Sequence, residues 1–214
     1  MTKRRRLLAT SAVGLLLLAV LGSPGTPARA ATPTFYTDRA TFEAAVRAVI
    51  TDGYASPPYP AGWGPYDDAA FSDFFGEIDY HTTFFADNNQ LHDGIYCAGC
   101  NGSFELSFQT TSLTEGSSGV HGVGLDVVRN DEWPQASGYG YWAFITFGDE
   151  TTEDIHLPAG ASFFGVTAPE LIVSIHFGLE NGGSTQDGYF EIDNLTIGGE
   201  YTNYVPLVLR GAAG

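Results

Sequence analysis

Across residues 103–110 every second side chain is apolar: Phe104, Leu106 and Phe108 alternate with Glu105, Ser107 and Gln109. A period of two residues is the signature of a strand, so this stretch belongs half-buried in a sheet, with its apolar face inward. Val123, Leu125 and Val127 repeat the pattern, and so do alternate positions across 141–147. Further short strand runs are expected at 71–75, 81–85, 152–157, 163–166 and 171–179, separated by Gly, Pro, Asn and Asp clusters of turn type. Short strands at this spacing predict an all-β fold, an antiparallel β-sandwich of jelly-roll-like type.

One amphipathic helix stands apart from the strands. Asp38 is a candidate N-cap, and Phe42, Ala45, Val46, Val49 and Ile50 recur at helical spacing before Asp52-Gly53. This single N-terminal α-helix is expected to cap an open end or edge of the sandwich. Residues 54–68 carry Pro57, Pro58, Pro60 and Pro65, which excludes regular structure, while Tyr54, Tyr59, Trp63 and Tyr66 predict an ordered, packed surface loop. Turn chemistry fills 87–94, and a second long loop is expected over 129–139.

The last third reads as two strand runs around a glycine-rich turn, a hairpin over 163–199 that closes the sandwich. Its final strand contains a phase break. Phe190 and Ile192 share one face, but Leu195 and Ile197 fall on the opposite phase. Burying both pairs on one side takes one extra residue, so a β-bulge or sharp bend is expected at Asp193-Asn194.

Residues 1–30 have the layout of a secretory signal peptide: Lys3, Arg4, Arg5 and Arg6, an apolar run over 7–21, then Ala28-Arg29-Ala30. The expected products are a β-sandwich domain over 31–199 and a tail over 200–214, which is an edge strand or a sorting and attachment segment. Cleavage removes five of the nine basic residues and none of the 25 acidic ones. The mature chain, with no lysine, then carries a formal charge of −21. Such a surface repels nucleic acid and anionic lipid, so no nucleic-acid partner is expected. The signal peptide predicts the secreted, extracellular or cell-surface compartment, with no integral membrane span after cleavage. In that setting Cys97 and Cys100, spaced C-A-G-C, are expected to form a local disulfide. A zinc site would need two more ligands, and no second C-x-x-C exists.

Three phrases carry a resemblance: FYTDRATFEAAV near the mature N-terminus, FFGVTAP in the middle, and GYFEIDNLTIG close to the end. Together the chain resembles the ectodomains of PEP-CTERM-type secreted bacterial proteins, although that family's sorting tail is replaced here by YVPLVLR. The final strand is similar to that of jelly-roll carbohydrate-binding modules, where the aspartate matching Asp193 helps hold a structural calcium. The resemblance implies a calcium ligand at Asp193, with Asp73 or Glu77 as partial matches for a second; a carboxylate bonding the amides of its own bulge is the alternative for Asp193.

For ligands, the aromatic loops are the candidates: Trp133, Tyr139 and Trp142 in one region, Trp63 and Tyr66 in another. Flat exposed rings beside polar groups grip sugar rings by stacking and hydrogen bonding, which points to polysaccharide or another cell-surface matrix component as the partner. No G-x-S-x-G elbow is present, the five histidines show no catalytic spacing, and acid pairs such as Asp67-Asp68 and Glu153-Asp154 arise by chance in so acidic a chain. The expected function is a non-catalytic binding protein; a structural matrix or surface-layer protein and an extracellular glycan hydrolase are the alternatives.

Overall fold

The computed structural model describes residues 32–131 and 140–202. In chain order these form β1 (Thr34–Tyr36), α1 (Arg39–Ala45), β2 (Val46–Asp52), β3 (Gly64–Tyr66), α2 (Asp68–Phe75), β4 (Asp79–Thr82) and β5 (Asn89–His92). There follow β6 (Ile95–Ala98), β7 (Phe104–Ser107), β8 (Val120–Asp131), β9 (Trp142–Phe147), β10 (Thr152–His156), β11 (Phe163–Gly178) and β12 (Tyr189–Tyr201). The signal segment, most of the tail, Trp133 and Tyr139 lie outside the described residues.

All twelve strands are hydrogen-bonded into one open, antiparallel sheet, and β11 is where that sheet folds back on itself. A strand has only two edges, yet β11 pairs with four others. Residues 163–167 pair with β8 and β1, and residues 172–178 pair with β9 and β7, so the two halves serve different layers. One layer comprises β1, the first half of β11, β8, β12, β2, β6, β5 and β3; the other comprises β10, β9, the second half of β11, β7 and β4. Aromatic rings join them: Phe190 of β12 lies 5.0 Å from Phe177 and 5.8 Å from Phe104, and Tyr96 of β6 lies 5.0 Å from Phe104. Phe104, Leu106 and Phe108 are fully buried between the layers, as their alternation requires. The fold is the expected antiparallel β-sandwich.

Several local expectations change. The helix stops at Ala45, and the Val46–Asp52 segment is β2, paired with Leu195 to Tyr201 of β12. Val46, Val49, Ile50 and Thr51 are β-branched, and an open ladder edge on β12 outweighs the helical spacing of their apolar members. Asp38 does cap α1, accepting from the Thr41 amide at 2.9 Å. Residues 71–75, expected as strand, lie in a second helix, α2, capped by Asp67 through the Ala70 amide at 2.7 Å and ended by Gly76 at φ 75°. The 87–94 turn segment contains β5, which pairs with both β6 and β3. Thus β3 is regular structure inside the proline-rich 54–68 stretch, and β8 extends to Asp131, into the loop expected over 129–139. Lastly, β11 and β12 do not form a hairpin. Both run antiparallel to β8, one on each side, so they are parallel to one another and no tight turn can join them.

The bulge lies where the phase break placed it. Between Asp193 and Thr196 β12 advances three residues while β8 advances two, with Asn194 at φ 47°. Phe190, Ile192, Leu195 and Ile197 are thereby all buried in the same core.

On the opposite face of the larger layer, α1 lies on a floor of glycines. Gly165 and Gly124 are register partners in β11 and β8, and Gly122 pairs with Gly198 of β12. A Cβ on Gly124 would stand 2.5 Å from the Phe42 ring, and one on Gly122 would stand 2.4 Å from Val46. Phe42, Val46 and Phe163 form a second small core there, flanked by Tyr36.

Candidate functional site

Residues 54–63 and the β5–β6 connection enclose a cleft of about 360 Å³, bounded by Tyr54, Ser56, Pro60, Trp63, His92 and Asp93 among others. Tyr54 and Tyr59 anchor the proline-rich segment by burying their rings, while Trp63 leaves 70% of its surface exposed at the rim. Its indole lies 5.9 Å from the His92 imidazole at an interplanar angle of 31°. Behind His92, Glu191 of β12 places a carboxylate oxygen 3.6 Å from Nε2, and Arg129 lies 3.9 Å from the same oxygen. The Arg129 guanidinium also sits 3.9 Å above the Tyr189 ring, so the polar wall is braced from β8 and β12.

The other aromatic candidates divide. Tyr66 packs inward, edge-on to Phe74 at 5.1 Å, and offers no free stacking face of Trp63's kind. Trp142 is half-buried on the outer side of the five-stranded layer, across from His156 with ring centroids 5.1 Å apart. Register continues that surface through Asp154, Phe144, His176, Glu105 and His81. Burial lowers the pKa of His176 against the pull of Glu105, with His81 adding to the lowering. Trp63 and Trp142 belong to different layers and do not form a single platform.

At the bulge, Asp193 accepts the Asn194 amide at 2.6 Å and the Asn194 Nδ2 at 3.2 Å. Arg39 of α1 donates to Asp126 at 2.9 Å, to the Asn194 carbonyl at 2.8 Å and to Thr196 at 3.1 Å. Burial raises the pKa of Asp193, and Asp126 adds to the rise while the Asn194 amide and Arg39 oppose it. Asp73 is exposed on α2. Glu77 loses some hydration, but the Ser112 amide and the Ser112 and Thr111 hydroxyls outweigh that and hold it below the ordinary glutamate value. Asp193, Asp73 and Glu77 share no partner among the described residues. The acid pair Asp67-Asp68 serves structure: Asp67 caps α2, and Asp68 receives Thr82, Asn89 and His81.

Two clusters join residues that no sequence motif brings together. Asp52, 2% exposed, accepts hydrogen bonds from Tyr59, from Tyr80 at 2.9 Å and from the Tyr54 amide at 3.0 Å. Burial raises its pKa despite these donors, with the charge of Asp193 contributing to the rise. A raised folded-state pKa means that the stability from this group is fully present below the unfolded value of about 4 and is lost as pH climbs through the folded value. The protein is therefore expected to gain stability from Asp52 as pH falls towards 4, and Asp52→Asn is expected to flatten that part of a urea-denaturation profile. An unchanged profile in the variant would show that Asp52 does not titrate abnormally.

The second cluster is at Cys97 and Cys100, which are disulfide-bonded as expected, with Cα atoms 4.6 Å apart. A ring nitrogen of His92 and both sulfurs lie within 4.8 Å of one another.

Among the described residues no helix is long and apolar enough to cross a membrane. Compared with known proteins, the chain matches no family model, no curated protein and no solved structure.

Proposed function

We propose that this protein is a secreted or cell-surface, non-catalytic β-sandwich that binds extracellular polysaccharide at the Trp63 cleft. The carrying observation is the exposure of Trp63, a large flat ring held at the rim of a polar cleft by a segment whose other tyrosines are buried. Exposing an indole to water is unfavourable, and stacking on a pyranose ring removes that cost while Ser56, His92 and Asp93 supply hydrogen bonds. The acidity of the chain selects neutral over anionic glycans, because a like-charged polymer is repelled. The likeness of the last strand to carbohydrate-binding modules and of the three phrases to PEP-CTERM-type ectodomains supports the same reading.

Trp63→Ala is expected to weaken binding of a neutral polysaccharide by about 2 kcal/mol, roughly 30-fold in Kd, without lowering thermal stability. Titration calorimetry on the wild type and the variant measures the binding, and a thermal melt of each measures the stability. Wild-type protein that binds no glycan on an array would leave the structural matrix protein as the reading.

We infer further that Arg39, rather than a calcium ion, neutralises the bulge. Calcium takes six to eight oxygens, whereas the carbonyl and carboxylate oxygens at Asn194 and Asp126 already receive a guanidinium. Excess chelator is expected to leave the melting temperature unchanged; a fall of several degrees would reinstate calcium.

A further inference from the structure

With only two cysteines and no second C-x-x-C, the sequence motif by itself offers half of a metal site. The β5–β6 hairpin supplies more. Its register sets Gln90 opposite Cys97 and His92 opposite Ile95, which puts the side chains of His92, Gln90 and Cys97 on one face of the hairpin. We propose that, when the Cys97–Cys100 disulfide is reduced, His92, Cys97 and Cys100 bind a divalent ion of the zinc class.

The donor set has the right chemistry. Two thiolates and one imidazole suit a borderline-soft ion, which binds sulfur and nitrogen at about 2.0–2.3 Å and so asks for donor atoms about 3.3–3.8 Å apart. The three atoms already lie within 4.8 Å of one another in the oxidised protein. The loop that must adjust is short and turn-like, with Gly99 at φ 56° and Cys100 at φ 60°. Gln90 Oε1, 3.1 Å from Cys100 Sγ, adds an oxygen donor beside the pair, and water can complete the shell.

The surroundings match as well. Glu191, largely buried and with a carboxylate oxygen 3.6 Å from His92 Nε2, stands close to where the carboxylate partner of a metal-binding histidine would fix its tautomer and ring orientation. Glu191 also faces Cys97 across the β12–β6 ladder, so one strand braces both the imidazole and a sulfur. His92 borders the cleft, which provides an entry path, and Cys100 is only partly buried.

Disulfide and metal exclude each other. A dithiol reductant delivers two electrons and two protons, leaving two cysteine thiols and its own disulfide. Metal binding then expels both thiol protons and leaves two thiolates on the ion. A disulfide closing so short a loop restricts the unfolded chain little, so the sandwich is expected to survive reduction.

The test uses the whole protein, oxidised and reduced, titrated with Co²⁺ as a spectroscopic stand-in for Zn²⁺. The expected result is one equivalent bound by the reduced form only, with a thiolate-to-cobalt charge-transfer band, release of two protons and a change in Trp63 fluorescence. Cys100→Ser is expected to abolish the band, and His92→Gln to weaken binding at least tenfold while circular dichroism stays native. The proposal is overturned if the reduced wild type shows no thiolate band. It is equally overturned if the oxidised form binds as tightly, which marks an adventitious ion only, or if His92→Gln binds like the reduced wild type. The oxidised-against-reduced comparison needs no substitution and stands even if a variant misfolds. None of these readouts depends on glycan binding.

Discussion

Deleting Asn194 is expected to destabilise the protein by about 3–6 kcal/mol, the burial of two large aliphatic side chains at roughly 1.5–3 kcal/mol each. Asn194 is the extra residue that lets Leu195 and Ile197 point into the core already occupied by Phe190 and Ile192. Without it, a strand of period two must turn one pair outward. Slipping β12 to keep Leu195 and Ile197 inside would break their ladder to β2 or β8 and remove the Asn194 carbonyl that receives Arg39. Asn194→Gly separates the backbone from the side chain. Glycine adopts the positive φ of 47° freely, so only the bonds of Nδ2 to Asp126 and Asp193 are lost, about 1 kcal/mol. Urea denaturation of the three proteins decides the matter, and a deletion variant as stable as the wild type would remove the bulge from the account.

Phe42→Ala is expected to cost about 3–5 kcal/mol, although Phe42 belongs to a short helix outside the main core. The ring is fully buried because the sheet beneath it has no side chains: it rests on Gly124 and Gly165 and against Tyr36 and Phe163. The reciprocal change, Gly124→Ala, puts a methyl group into ring atoms and is expected to cost about 1–3 kcal/mol. In a Phe42→Ala background the same methyl enters a vacated space, so the double variant should be less destabilised than the sum of the singles. A double-mutant cycle that came out additive would show that the helix does not depend on the glycine floor.

These two cases mark what was legible. The inward faces of β7, β8 and β9, the N-cap at Asp38, the packing of Tyr54 and Tyr59 and the bulge at Asp193-Asn194 all follow from patterns within a few residues. The glycines of the floor were visible as letters, but nothing in β8 says that Phe42 will lie above Gly124. The stretch from Val46 to Asp52 misleads because its apolar spacing suits a helix while its β-branched residues suit a strand, and a free edge on β12, far along the chain, decides between them. In the same way Tyr66 and Trp63 look alike in sequence; one meets Phe74 and is covered, the other meets the rim of a cleft.

By itself the sequence determined which residues form strands over most of the core, which of their faces is apolar, where β12 must bulge, and that the chain is strongly acidic. Only the tertiary structure decided that β11 folds the sheet into two layers, that β11 and β12 flank β8, that Arg39 reaches Asp126 across 87 positions, and that His92 stands beside the cysteine pair. The reason is physical. Periodicity and capping are local, set by backbone geometry over one or two turns or a few strand residues, whereas the choice of partner strand depends on contacts between segments that the chain brings together only when the whole core closes.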